Sequence, residues 1–291
     1  MSLDQYQTRI IKIVNQLSYG KSNVFRDFCE LSAITLANAL GNGMAQLKDP
    51  EWEKREARYL QIAKGYKPEE ISLFAEMLAC VASSLTNGDQ FNFHDCLGEL
   101  HMTEEITGKS KWDSDVAFTP RHVTELMARM TLSGLKMPDK GYITVSEPAC
   151  GGGAMVIATC SAFKELGFNF QQQLHVTAVE IREMIFHMAY IQFSLLHIPA
   201  IVVHGNSLSL ETWAAWKTPA HVLGMWDFKL RRDRPAEPQQ QPTEPVVQFT
   251  KKGQGLFDFE IPTKEKPVDI RPKASHRPAD SGRKVRARAA K

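Results

Sequence analysis

Apolar residues recur at spacings of three and four along much of the first 115 positions. Ile71, Phe74, Leu78, Val81 and Leu85 form one such stripe, the signature of a helix with one face turned to a core. Pro68, Glu69 and Glu70 stand at its head. Proline suits a first helical turn, where its missing N–H has no partner to lose, and carboxylates face the positive end of the helix dipole. Asn87-Gly88 closes the stripe with residues that tolerate positive φ. Val24, Phe28, Leu31, Leu36 and Leu40 predict a second helix, ended by Gly41-Asn42-Gly43, and Pro50 to Ala63 a third. Residues 1–115 are therefore expected to form a helical region.

Beyond residue 116 the rhythm changes. Short apolar runs at Tyr142–Val145, Leu174–Val179, Ala200–Val203 and His221–Trp226 alternate with helical stretches, one of them through Ile185, Met188 and Ile191. That alternation predicts βαβ units and a parallel sheet, so residues 116–230 are expected to be an α/β domain. After Leu230 the pattern dissolves. Eight of the 15 prolines and the run Gln239-Gln240-Gln241 fall in residues 231–291. Such a segment buries too little apolar surface to offset its ordering entropy, and a disordered tail is expected there.

Charge sharpens this division. The chain of 291 residues has a formal net charge of +2, with 35 Lys+Arg and 33 Asp+Glu. Residues 231–291 hold 15 basic and 8 acidic residues, and residues 1–230 hold 20 and 25. An acidic body carries a basic tail. Arg283, Lys284, Arg286 and Arg288 form a cluster that suits the phosphates of DNA, and equally a solubilising terminus. No apolar run reaches the roughly 20 residues that cross a bilayer, and no secretory leader opens the chain, so a cytoplasmic protein is expected. Five cysteines without a Cys-x-x-Cys read as reduced, mostly buried thiols. His94, Cys96 and His101 lie close together, but without a second Cys pair no metal centre is expected.

The chemistry concentrates after the first predicted strand. Val145-Ser146-Glu147-Pro148-Ala149-Cys150-Gly151-Gly152-Gly153-Ala154-Met155 places an acidic residue at a strand end, then glycines, then a helix. In an open α/β sheet, a nucleotide-like ligand lies at the carboxyl ends of the strands, and glycine admits it closely because no Cβ intervenes. The next strand ends at Glu180, where a carboxylate can accept from both ribose hydroxyls. The third ends in His204-Gly205-Asn206-Ser207-Leu208, where a side-chain amide can hold an adenine edge. A dinucleotide fold fits less well, because Gly-x-Gly-x-x-Gly is incomplete.

These segments resemble the adenine-specific N6 DNA methyltransferases, in particular the modification subunits of type I restriction systems. Phe118-Thr119-Pro120 resembles the family's Thr-Pro segment, Glu147 to Gly153 its glycine loop, Glu180 its ribose ligand and Gly205-Asn206-Ser207-Leu208 its adenine quartet. The likeness covers roughly residues 90–210. It implies a Rossmann-like S-adenosylmethionine-dependent methyltransferase fold. It further implies that Phe118, Thr119, Pro120, Glu147, Pro148, Ala149, Cys150, Gly151, Gly153, Glu180, Asn206 and Ser207 contact S-adenosylmethionine. DNA is the implied substrate, with a specificity subunit or a second copy as partner.

The departures are also specific. Glu147 stands for the family's Asp, Gly152 for Thr, Ala154 for the last Gly and Asn206 for Asp. The family orients its target amine with an Asn-or-Asp-Pro-Pro-aromatic tetrapeptide after the fourth strand, whose aromatic stacks on the extruded base. This chain has no Pro-Pro. The candidates near that slot are Thr218, Pro219 and His221, though Thr218-Pro219 also reads as a turn before the fourth predicted strand. Four strands precede the tail, fewer than the family's sheet holds, so the fold is expected to be truncated and methyl transfer by the chain alone weak or absent. The alternative is a non-catalytic, DNA-associated binding or regulatory protein. Trp213, Trp216 and Trp226 could stack on nucleic acid, but at least two are expected in the core. Within the tail, residues 254–259 faintly resemble the peptides that dock on bacterial sliding clamps.

Overall fold

The computed structural model describes residues 3–19, 21–43, 48–103, 106 and 119–232. The tail, the sliding-clamp peptide, the basic cluster at Arg283–Arg288 and Phe118 lie outside the described residues.

Five helices come first: α1 (Gln5–Leu17), α2 (Val24–Gly43), α3 (Trp52–Ala63), α4 (Pro68–Ser84) and α5 (Cys96–His101). Helix α1 opens on a capping box, in which Asp4 Oδ1 accepts from Gln7 N at 2.7 Å and Gln7 Oε1 accepts from Asp4 N at 2.9 Å. Ile10, Ile13, Val14 and Leu17 are its buried face. Phe74, Met77 and Val81 on α4 and Phe28 on α2 close the helical core. A short hairpin absent from the sequence expectation, β1 (Thr86–Asn87) with β2 (Gln90–Phe91), turns at Gly88, whose φ is 62°.

The second half alternates α6 (Arg121–Thr131), β3 (Ile143–Glu147), α7 (Ala154–Glu165), α8 (Phe170–Gln173), β4 (Leu174–Glu180), α9 (Glu183–Leu195), β5 (Ala200–Asn206) and β6 (Glu211–Lys217). The strands are ordered β3-β4-β5-β6 in one sheet. Pairs β3–β4 and β4–β5 are parallel, with Val145 opposite Val176 and Val176 opposite Ala200. Strand β4 is almost wholly buried because both of its faces are covered, which is why it reads as a continuous apolar run. Helix α9 is buried from Ile185 to Ser194 and lies against both the sheet and α2. The described helices and the sheet share one apolar core.

One predicted strand is corrected. His221–Trp226 is not extended: α10 (Pro219–Leu223) and α11 (Trp226–Arg232) occupy that stretch. Thr218 caps α10, its hydroxyl accepting from His221 N at 3.3 Å, and Pro219 fills the first helical position. The fourth strand is instead β6, antiparallel to β5. Asn206 Oδ1 accepts from Leu208 N at 2.9 Å and Ser209 N at 3.3 Å, a side-chain turn that sends the chain back beside β5. At the other end of the sheet, β3 has no partner on its outer edge among the described residues, and Thr144 and Ser146 are exposed. Tyr142, just before β3, lies edge-on to the buried Trp226 of α11 with ring centroids 5.2 Å apart. Among the described residues, no helix is long and apolar enough to cross a membrane.

Candidate functional site

The glycine turn between β3 and α7 is fastened from its own backbone and from β4. Cys150 N donates to Val179 O at 2.9 Å, and Gly153 N to Cys150 O at 2.9 Å. Gly151 and Gly153 have φ of 55° and 107°, in the region that side chains disfavour. A Cβ on Gly153 would fall 2.4 Å from the fully buried Phe193 ring. Glu147 Oε1 accepts from Ala149 N at 3.3 Å, while Pro148 and Ala149 are exposed. Cys150 is buried, and desolvation raises its thiol pKa, which keeps it protonated and unreactive.

Glu180 is the hinge of the arrangement. It is 8% exposed; one carboxylate oxygen accepts from Gly151 N at 3.0 Å and the other from Arg182 N at 2.9 Å. Those bonds use two of about four acceptor positions and fix the carboxylate at the strand end. Ile181, next in sequence, is 52% exposed, and Leu208 beyond Asn206 is 94% exposed. Such apolar side chains at polar strand ends suit the faces of a flat ring. The turn uses Asn206 Oδ1, leaving its amide NH2 as a donor; Ser207 follows it.

The sequence reading missed two residues beneath the loop. Gln192 Nε2 donates to Gly152 O at 2.7 Å and to Asp95 Oδ1 at 2.7 Å, and its Oε1 accepts from Leu97 N at 3.1 Å. Asp95 also caps α5, accepting from Gly98 N at 2.8 Å. Burial pushes its pKa up, opposed by the bonds from Gln192 and Gly98. A Cβ on Gly152 would lie 2.9 Å from the Asp95 oxygens, which accounts for glycine where the resembled family carries threonine. The cap at Asp95 was legible as an acidic residue before an apolar stretch; its approach to the loop was not. A cavity of about 100 Å³ brings Asp95 together with Thr119, Pro120, Thr124 and Ala154, so the Thr-Pro segment does sit beside the start of α7.

Thr218, Pro219 and His221 lie at the far end of the sheet from Glu180 and Asn206. Thr218 Oγ1 accepts from Ala200 N at 3.0 Å and donates to Ile198 O at 2.8 Å, at the first residue of β5. His221 Nδ1 lies 2.9 Å from Nε2 of His175, near the start of β4. Strands β4 and β5 rise about 20 Å from there to Glu180 and Asn206. Thr218 and His221 fasten the opposite end of the sheet and are 0% exposed, with the half-buried Pro219 between them. Burial lowers His175 to about 4 and lowers His221, the latter opposed by Asp227, 3.2 Å from His221 Nε2. Trp216 and Trp226 are core residues, whereas Trp213 is 49% exposed.

Residues 99–225 match the N-6 DNA methylase family. No curated protein matches the chain. Several solved structures are similar, among them two described as methyltransferases. One is a Listeria monocytogenes protein described as a class I S-adenosylmethionine-dependent methyltransferase, with 11% identity and a TM-score of 0.38 over 70% of this chain and 54% of that one. The other is a type I restriction-modification system methyltransferase subunit from Streptococcus thermophilus, with 11% identity and a TM-score of 0.33 over 72% of this chain and 59% of that one. The chain thus spans little more than half the length of either.

Proposed function

We propose that this chain, of the N-6 DNA methylase family over residues 99–225, binds S-adenosylmethionine and serves adenine-N6 methylation of DNA as the cofactor-holding half of a larger site. The observation that carries the reading is Glu180, pinned between Gly151 N–H and Arg182 N–H at the end of β4. Its remaining lone pairs would accept from the two ribose hydroxyls. Ile181 and Leu208 would flank the adenine ring, with the Asn206 amide donating to a ring nitrogen and Ser207 beside it. The Gly152 N–H and the first N–H groups of α7, which the turn's own bonds do not use, suit the methionine carboxylate, and Thr119-Pro120 would close that end. The cofactor supplies an electrophilic methyl group; the chain supplies position and exclusion of water.

What is missing bears on the same proposal. The family's base-orienting tetrapeptide has no counterpart in the sequence, and β3 lacks an outer neighbour among the described residues. A specificity subunit or a second copy would therefore complete the base-holding side. The same open edge favours a second reading, a non-catalytic DNA-associated protein that keeps the cofactor half as a regulatory module. Incubating the full chain with labelled cofactor and varied DNA, with and without specificity subunits, separates them. Methylation that requires a partner supports the first reading, and cofactor binding without methylation under any condition supports the second. Robust adenine methylation by the chain alone would overturn the half-site reading itself.

A further inference from the structure

A second cavity, of about 560 Å³, opens between α3, α9 and the β5–β6 pair, and none of its lining residues belongs to the glycine loop. His187 of α9 and Trp216 of β6 line it, their ring centroids 5.4 Å apart. Trp213, 49% exposed, stands at its side with its ring edge-on to His204 at 4.8 Å. His187 is only 4% exposed, yet neither ring nitrogen has a hydrogen-bond partner among the described residues. Burial holds His187 down to about 4, so at neutral pH the imidazole is uncharged, with one donor and one acceptor.

The charged groups around the cavity are already matched. Glu30 pairs with Arg58 at 2.5 Å, Glu51 with Lys54 at 3.2 Å, Glu183 with Arg26 at 3.1 Å and Arg55 with Asp49 at 2.7 Å. No uncompensated charge invites a phosphate or a metal ion. A half-exposed indole, an unpartnered donor–acceptor edge and charge balance together select an uncharged, flat heterocycle. We propose that this cavity holds a nucleobase, stacked on Trp213 with its polar edge hydrogen-bonded to His187. The base belongs either to a free nucleoside or to a single strand, and stacking of this kind tolerates any base. The proposal does not depend on the cofactor reading.

Calorimetric titration of the full chain with thymidine and with a short oligothymidylate tests it. Thymine avoids any adenine-reading site, and raised salt suppresses contacts from the basic tail. Saturable binding is expected with at least one of the two. Thymidine binding marks a nucleoside site, and binding of the oligonucleotide alone marks a base within a strand. Trp213→Ala, at a half-exposed position, should weaken binding by about fivefold or more, the lower end for base–aromatic stacking, while Trp213→Phe keeps most of it. His187→Gln, which retains a donor and an acceptor, should bind better than His187→Leu. Absence of binding by both ligands, or affinity within twofold of the parent in Trp213→Ala, would overturn the proposal.

Discussion

A side chain on Gly152 would meet the Asp95 carboxylate at 2.9 Å, so the two positions compete for one space. Overpacking of this kind costs about 1–3 kcal/mol. Gly152→Thr should lower unfolding stability by that amount, and the double variant with Asp95→Ala should recover part of it. Urea unfolding of the four proteins measures the coupling, and simple additivity would contradict it. Histidine burial makes stability depend on pH. His175 and His187 fall from 6.5 to about 4 in the folded protein. As pH drops below 6.5 the unfolded chain takes up protons that the folded chain refuses, so stability falls through that window and levels off below about 4. By pH 5 the loss is on the order of 2 kcal/mol per histidine. The urea midpoint should therefore fall between pH 7 and pH 5, less steeply in His187→Gln; an unchanged midpoint would contradict the burial argument.

Among elements, the glycine turn is the one whose shape was legible beforehand. Strands β3, β4 and β5 announced themselves as apolar runs; β3 and β4 end at Glu147 and Glu180 as expected, and β5 runs on past the expected Val203 to Asn206. Strand β6 hid because Trp216 is its only buried residue, so no apolar run marks it. Helix α10 read as a strand because His221–Trp226 is mostly apolar, and the Thr218 cap decides its geometry instead. The bridge from Gln192 to Asp95 joins residues 97 positions apart, beyond the reach of any local pattern. The turn itself leaves little latitude at Gly153, where φ is 107° and Phe193 blocks a Cβ. Gly153→Ala should cost about 1–3 kcal/mol and loosen the start of α7, read as faster hydrogen exchange there. Unchanged exchange and stability would mean that the turn is not held as described.

Among the described residues the sheet runs from β3 on one side to β6 on the other, and every strand-end group of the candidate site lies on β3, β4 or β5. That distribution is the one the proposed half-site requires. Charge separates the remaining tasks. Residues 1–230 carry more acidic than basic side chains, and the basic excess lies in residues 231–291. Ending the chain after Arg232 should abolish most low-salt DNA affinity in a filter or anisotropy assay while leaving cofactor binding intact. Persistent DNA affinity would place the phosphate contacts on the folded body. Calorimetric titration of the full chain with S-adenosylhomocysteine, beside Glu180→Gln, tests the proposed cofactor site. We expect saturable one-to-one binding, weakened about tenfold or more in Glu180→Gln by the loss of a charged acceptor. No binding, or equal affinity in the two proteins, would contradict it.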